Sequence, residues 1–360
     1  MIKLLIVDDS ALMRRQLTAM FQEESDFEIR QARNGLEAIE ENKAFKPDVI
    51  TLDINMPEMD GITALSLIMA ERPVPIVMVS SLTEKGALAT FEALNLGAVD
   101  YIAKPDGTIS LSIGQIRASL IEKVRTAAKA RLKGAKSSVK GLAQRLREER
   151  ESRLAKPPAI PRRRTGQEIK DGMVLVGVST GGPRTLEEIL PRLPADFPCP
   201  VVVAQHMPAA FTKSFAERLD AVCAMRVVEA ASPAVLEAGT IYIGKGGADI
   251  IVTQRGGKPA VIPRPETRDF LWHPSVELLG RTALEHCPAQ QILGVMLTGM
   301  GYDGADSFTE IKKRGGTTIA EAEETAVVFG MPCELIERGG ATYVLPLEKI
   351  ADRINHWAGK

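Results

Sequence analysis

Short apolar runs alternate with helix-like stretches through the first third of the chain, and this alternation limits the possible folds more than any single motif. Strands are expected at Leu4–Val7, Phe27–Ala32, Asp48–Asp53, Pro75–Ser80 and Tyr101–Ala103, with helices near Ala11–Glu24, Leu36–Lys43, Ile62–Ala70 and Lys85–Leu96. Apolar strands with a helix in every connection bury both faces of a parallel sheet, so this segment reads as a doubly wound α/β domain of five parallel strands. A last helix is expected over Ile113–Leu132.

From Lys133 to Gln167 the pattern lapses into a stretch rich in Lys, Arg, Ala and Pro, which ends in Lys156-Pro157-Pro158-Ala159-Ile160-Pro161-Arg162-Arg163-Arg164. It reads as an interdomain spacer, helical in its first half and extended around the prolines. No aromatics interleave the charges, so a solvated spacer is a better account than a nucleic-acid or lipid contact. Alternation resumes at Met173. Strands are expected at Val174–Val178, Val201–Gln205, Thr240–Ile243, Asp249–Thr253, Ile292–Leu297, Thr317–Ala320 and Ala341–Leu345, with hairpin-like material at Gly244–Gly247 and Gly256–Gly257. Helices are expected near Arg184–Leu190, Ala209–Asp220, Ser275–His286, Gly304–Lys313, Cys333–Glu337 and Glu348–Trp357. The chain thus divides into a first domain (1–125), a linker (126–168) and a second, Rossmann-like α/β domain (169–360), with no repeat relating the halves.

Composition removes several classes of function. A formal net charge of -1 gives no global attraction to nucleic acid or acidic membranes, and 4% aromatics cannot furnish base-stacking platforms. The four cysteines are scattered without a C-x-x-C pair, which suits a reducing cytosol. The start, Met1 to Val7, meets Asp8-Asp9 at once and is too short for a signal peptide. No apolar run approaches the roughly 20 residues of a membrane span. A cytosolic monomer with no membrane insertion and no nucleic-acid partner is expected.

Asp8 and Asp9 close the first strand, Asp53 the third and Ser80 the fourth, and Lys104 follows the fifth. The carboxyl ends of parallel strands form the ligand crevice of such a sheet, so these groups should meet around one point. Two carboxylates about 4 Å apart repel by about 4 kcal/mol at an effective dielectric near 20. The Lys104 ammonium and a hard divalent cation would offset that repulsion, and an all-oxygen set suits Mg²⁺ better than zinc. Strand-end aspartates often only cap the next helix, but capping does not account for an acidic pair, a third Asp and a Lys in this order. The first domain resembles a response-regulator receiver domain. That resemblance implies phosphorylation of Asp53 and Mg²⁺ ligation by Asp8, Asp9, Asp53 and the Asn55 backbone carbonyl. It also implies phosphoryl contacts from Ser80 and Lys104, and a switch aromatic at Tyr101.

In the second domain, Gly177-Val178-Ser179-Thr180-Gly181 follows a strand and precedes a helix, satisfying the G-x-S-x-G elbow that presents a serine hydroxyl outward. Such a serine needs a base and an orienting acid. Of four histidines, His206 is best placed, at the end of the next strand; His273 sits at a helix start, His286 at a helix end and His356 near the C-terminus. Asp303, in Thr298-Gly299-Met300-Gly301-Tyr302-Asp303-Gly304, is either a helix cap worth about 1 kcal/mol or the acid. The order Ser179, His206, Asp303 differs from the Ser-Asp-His order of α/β-hydrolases, so a different fold is expected.

Together with Ala204-Gln205-His206-Met207, Pro274-Ser275-Val276 and Val327-Val328-Phe329-Gly330-Met331-Pro332, these segments resemble the catalytic domain of the chemotaxis protein-glutamate methylesterases, the CheB family. The resemblance implies Ser179 as nucleophile, His206 as base, Asp303 as the acid that orients it, the Met300 backbone N–H in the oxyanion site and Thr180 lining it. No cofactor is implied for the esterase site. It further implies methyl-accepting chemotaxis receptors as substrates, a chemotaxis histidine kinase as phosphodonor, deamidation of receptor glutamines, and relief by phosphorylation of a block imposed by the receiver. Two segments depart from the family pattern: Gly244-Lys245 stands where Ala-Pro is usual, and Trp272-His273-Pro274 where His-Arg-Pro is usual. A nucleotide-binding output and a DNA-binding regulator are the competing classes. Against the first, the glycines after Val178 read G-x-S-x-G-G rather than G-x-G-x-x-G and no acidic residue follows at the ribose position; the second lacks a helix-turn-helix-sized module.

Overall fold

The computed structural model describes residues 1–80, 83–104, 109–130, 132 and 172–359, and it falls into two compact units, Met1–Pro157 and Pro158–Lys360. Most of the expected linker lies outside the described residues.

The first unit contains β1 (Ile2–Val7), α1 (Ala11–Gln22), β2 (Phe27–Ala32), α2 (Gly35–Phe45), β3 (Val49–Asp53), α3 (Gly61–Glu71), β4 (Ile76–Ser80), α4 (Glu84–Leu96), β5 (Asp100–Ala103) and α5 (Ile109–Ala127). The strands pair in parallel in the order β2-β1-β3-β4-β5. Strands β3 and β4 are buried throughout, which is why they read as largely apolar, interrupted only by Thr51 and by Asp53 and Ser80 at their ends. Helix starts are fixed by side-chain caps: Ser10 accepts from Met13 N, Asn34 from Glu37 N, Asp60 from Thr63 N and Thr83 from Gly86 N. Helix α5 stops before the expected Leu132, since Lys129 N and Ala130 N turn back to Thr126 O and Ala127 O in a tightened last turn.

The second unit is larger. Its main sheet holds β6 (Met173–Val178), β7 (Val201–Gln205), β8 (Arg226–Ala230), β10 (Thr240–Gly244), β13 (Ile292–Met296), β14 (Thr317–Glu321) and β15 (Tyr343–Leu345). They run parallel in the order β15-β14-β13-β6-β7-β10-β8. The helices are α6 (Gly182–Ile189), α7 (Ala209–Val222), α8 (Val276–His286), α9 (Ala305–Lys313), α10 (Met331–Glu337) and α11 (Leu347–Trp357). A separate antiparallel sheet is formed by β9 (Ala234–Val235), β11 (Ala248–Arg255) and β12 (Lys258–Pro265).

Gly256 and Gly257, with φ of 57° and 75°, make the two-residue turn of the β11–β12 hairpin. Gly244–Gly247 is not a hairpin: it carries the chain from β10 of the main sheet to β11 of the other. Strands β8, β9 and β12 escape sequence reading. β8 is a half-buried edge with Arg226 and Glu229, β9 is two residues long, and β12 contains Pro259, Pro263 and Pro265. The core packs Val202, Tyr242, Val276, Leu279, Met296 and Phe308 between sheet and helices. No helix among the described residues is long and apolar enough to cross a membrane.

Candidate functional site

In the first unit, the strand order reverses direction at β1 and β3, and Asp8, Asp9 and Asp53 stand at that switch point, where open α/β sheets hold ligands. One oxygen from each carboxylate lies within 4.8 Å of the others. Lys104 Nζ is 2.8 Å from Asp53 Oδ2 and 2.9 Å from Asp8 Oδ2. Burial pushes the Asp53 carboxyl up to about 6 and the Asp8 charge adds to the rise; the Lys104 ammonium and the Ile54 N–H, 2.7 Å from Oδ1, pull it back only part of the way. Burial works against the Lys104 ammonium, but Asp53 and Asp8 outweigh it and hold its pKa above the ordinary value.

Three carboxylates facing one ammonium leave a surplus of negative charge, to which the rise that the Asp8 charge adds to burial at Asp53 belongs. A hard divalent cation would neutralise it, so the donor set fits Mg²⁺.

The loop after β3 is shaped by Gly61. A Cβ there would come 2.0 Å from Asp53 O, so only glycine lets α3 begin directly behind the acidic residue. Asn55 lies exposed on this loop. Ser80 is buried at the end of β4, its Oγ 3.3 Å from Gly86 O. Tyr101 is buried on β5, where burial and then the Asp100 charge drive its phenol pKa well up; Lys123 Nζ lies 5.3 Å from the centre of its ring.

In the second unit, the switch point falls between β6 and β13, and the residues expected to act together lie at its carboxyl edge. Ser179 follows β6 and is 7% exposed. Its backbone is tied on both sides: Ser179 N donates to Thr298 O at 2.9 Å, and Gln205 Nε2 donates to Ser179 O at 3.0 Å. His206 follows β7, with its N–H on Val178 O at 3.1 Å.

His206 Nε2 is 2.9 Å from Asp303 Oδ2. Its Nδ1 is buried and has no hydrogen-bond partner among the described residues. Because an ionised carboxylate only accepts, the neutral imidazole carries its proton on Nε2 and leaves the Nδ1 lone pair free for a hydroxyl.

Asp303 is held by more than the histidine. Its Oδ1 accepts from Ser275 Oγ at 3.0 Å and Glu277 N at 2.9 Å, and its Oδ2 accepts from Val276 N at 2.6 Å. Burial raises the pKa of this carboxyl, but the His206 hydrogen bond and charge, with the Glu277 and Val276 amides, outweigh it and leave the group below its ordinary value. Asp303 therefore does not cap its own helix, α9; it sits at the N-terminus of α8, where backbone amides and the helix dipole favour an anion.

The loop that carries Met300 passes directly beside the serine, since a Cβ on Gly299 would be 2.7 Å from Ser179 Cβ. Thr298 fastens this loop. Its Oγ1 donates to Thr180 O and accepts from Val328 N, both at 2.9 Å, and its N–H reaches Glu321 Oε2 at 2.9 Å, on a glutamate with no exposed surface. Thr180 is buried, its carbonyl committed to Thr298.

At the solvent edge, Trp272 stacks on the His206 ring and Tyr302 meets the indole edge-on, while Leu271 beside them is exposed. His273 Nδ1 pairs with Asp249 Oδ1 at 2.8 Å, away from the serine. His286 and His356 lie in the last turns of α8 and α11.

Ser275, Gln205, Thr298 and Glu321 were not assigned roles by sequence reasoning. Ser275 alone had a local signal, the cap position before an apolar helix, where it also accepts from Leu278 N. The other three matter through contacts with residues distant in the chain.

Comparison with known proteins agrees with this architecture. The family model for CheB methylesterase matches residues 174–354, and that for the response regulator receiver domain matches residues 4–112. The protein-glutamate methylesterase/protein-glutamine glutaminase 3 of Rhodospirillum rubrum is 53% identical, with 100% of this chain and 97% of that protein aligned. The corresponding protein 2 of Rhodopseudomonas palustris (strain BisB18) is 52% identical over 99% of this chain and 98% of that protein. The crystal structure of the Thermotoga maritima CheB methylesterase catalytic domain superposes with a TM-score of 0.50 at 40% identity, covering 52% of this chain and 99% of that one. The chain belongs to the CheB methylesterase family, with a response-regulator receiver domain ahead of its catalytic domain.

Proposed function

We propose that this protein hydrolyses glutamate γ-methyl esters on methyl-accepting chemotaxis receptors, and deamidates receptor glutamines by the same acyl chemistry, under the control of phosphorylation at Asp53. The observation that carries the reading is the His206–Asp303 pair beside the Ser179 strand end, with one imidazole nitrogen held by the acid and the other open. A serine hydroxyl becomes a useful nucleophile only when such a base takes its proton.

In the proposed mechanism, Ser179 Oγ attacks the ester carbonyl as its proton passes to His206 Nδ1. The Nε2–H bond to Asp303 stabilises the imidazolium, and the Met300 backbone N–H faces the developing oxyanion. The tetrahedral intermediate collapses by breaking the bond to methoxide, which leaves as methanol with the proton from His206. Water then attacks the acyl-enzyme, again losing its proton to His206, and the glutamate carboxylate is released with Ser179 restored. With a glutamine substrate, ammonia leaves in place of methanol. The esterase chemistry asks for no cofactor.

In the receiver, Asp8, Asp9, Asp53 and the Asn55 carbonyl are the residues that would hold Mg²⁺, which when bound offsets the charge of an incoming phosphoryl group. Asp53 is the acceptor, with Lys104 and Ser80 contacting the phosphoryl oxygens and Tyr101 reporting the switch. A chemotaxis histidine kinase is the proposed phosphodonor. The boundaries at 125 and 168 follow from the same reading.

The test is methanol release from receptor membranes carrying methylated receptor, with and without a small phosphodonor. Release that rises with phosphodonor in the parent chain, loses that rise in Asp53→Asn and vanishes in Ser179→Ala is the expected result. Undiminished release by Ser179→Ala overturns the mechanism.

A further inference from the structure

Trp272 occupies a position where sequence reading registered only a departure from the family pattern, and its surroundings give it a built setting. Its indole lies nearly parallel to the His206 imidazole, with ring centroids 6.0 Å apart and an interplanar angle of 8°. Tyr302 meets it edge-on at 5.2 Å and 87°. Gly301, with φ of 78°, makes room for the indole: a Cβ there would be 2.7 Å from its six-membered ring. The chain on the other side is fixed as well, because His273 is bonded to Asp249 and Ser275 to Asp303. The ring is therefore clamped over the base rather than lying loose on the surface.

We propose that Trp272 is a positioning residue for the esterase reaction, holding the His206 ring and stabilising its imidazolium form through the face of the indole. The inference rests on His206 being the base, as proposed above. Aromatic faces attract cations through their quadrupole, and an offset parallel pair at this spacing is a favoured arrangement for two rings. The imidazolium exists only after Ser179 or water has given up its proton, so the attraction acts in the transition state and its neighbouring intermediates more than in the resting enzyme. The charged group that meets His206 directly is Asp303, from the start of α9; behind Tyr302, the Arg338 guanidinium lies 6.0 Å from the phenol ring.

The sign of the effect separates this role from simple shielding. An aromatic face that stabilises imidazolium makes the charged form easier to reach, and its removal makes it harder. A hydrophobic cover that merely excludes water does the reverse, because uncovering the ring favours its charged form.

The experiment measures methanol release across pH with methylated receptor membranes and phosphodonor, for the full-length parent, Trp272→Leu, Trp272→Phe and Ser179→Ala. In Trp272→Leu, kcat should fall between about twofold and thirtyfold with KM little changed, and the acid limb of kcat/KM should move to lower pH. Trp272→Phe, with a weaker but still aromatic face, should lie between Trp272→Leu and the parent on both measures. An acid limb that moves up, a loss confined to KM, or identical behaviour of the Leu and Phe variants overturns the proposal. Should Trp272→Leu fail to fold, Trp272→Phe decides alone, an unchanged kcat and acid limb sinking the idea. Activity persisting in Ser179→Ala would instead indict the mechanism on which the inference depends.

Discussion

Ser275 and Asp303 are joined by a hydrogen bond of 3.0 Å, and the same Ser275 oxygen accepts from Leu278 N at the first turn of α8. One hydroxyl thus both orients the acid of the proposed triad and starts the helix whose amides hold that acid.

Replacing Ser275 with alanine should damage both roles at once. Loss of the cap costs about 1 kcal/mol, and loss of the bond to Asp303 about as much again. The expected outcome is a catalytic domain destabilised by about 1–3 kcal/mol, with kcat lowered and KM little affected. Urea unfolding and steady-state methanol release measure the two effects separately.

Asp303→Asn should leave the site nearly isosteric while taking away the charge that favours imidazolium. Other triads of this kind lose about 10⁴-fold in kcat on such a change. The pH dependence of stability follows from the carboxyl being held below its ordinary value in the folded protein. The folded state then binds this proton more weakly than the unfolded state, so the stabilisation is complete above the unfolded value near 4 and is lost as pH falls through the lower folded value. Asp303→Asn should therefore be less stable near neutral pH but show a shallower acid-side decline. Tryptophan fluorescence suits the measurement, since both tryptophans, Trp272 and Trp357, lie in the second unit.

Lys104→Met would strip the counter-charge from Asp8 and Asp53, its two ion-pair partners. The Lys104 side chain is only 22% exposed, so the loss is only partly relieved by water, and a destabilisation of the receiver of about 2–3 kcal/mol is expected. Calorimetry of the full chain should show a lowered receiver transition that Mg²⁺ restores in part. A Mg²⁺-independent transition in this variant would count against cation binding by the acidic cluster.

Thr298→Val should loosen the loop that carries Met300, by removing the bonds to Thr180 O and Val328 N while preserving the shape of the side chain. Leaving a buried carbonyl and amide without that partner costs about 1–3 kcal/mol. The expected signature is a fall in kcat at near-constant KM, accompanied by faster amide exchange across Thr298–Gly301.

Sequence periodicity reveals most of the fold because parallel strands covered on both faces are built on continuous apolar runs, as at Ile76–Val79 and Val201–Ala204. It falls short where burial is partial or pairing is local. Arg226–Ala230 is a half-buried edge strand, and the prolines of Lys258–Pro265 argue against a strand until the antiparallel partner Ala248–Arg255 is known. Positions of the candidate site residues are legible for a related reason: Ser179, His206 and Asp53 follow or end recognisable strands, and the sheet geometry gathers such ends. Asp303 was ambiguous because an acidic residue before a helix is usually its cap, and here it serves the start of a different helix, nearly thirty residues earlier in the chain. Gln205 and Thr298 lie in segments that resemble the family, but nothing local shows what they do; like Glu321, they act through tertiary contacts.

The anchoring of Asp303 by Ser275 and the α8 amides has a practical corollary. These bonds are made inside the domain, whereas Leu271, 73% exposed, and Tyr302, 50% exposed, face solvent. The groups that anchor the acid of the proposed triad and the side chains at the solvent edge thus lie in different layers of the protein. A designer wishing to alter what approaches the proposed site would begin at Leu271 and leave the inner scaffold, with the Trp272–Tyr302 contact, as a fixed chassis.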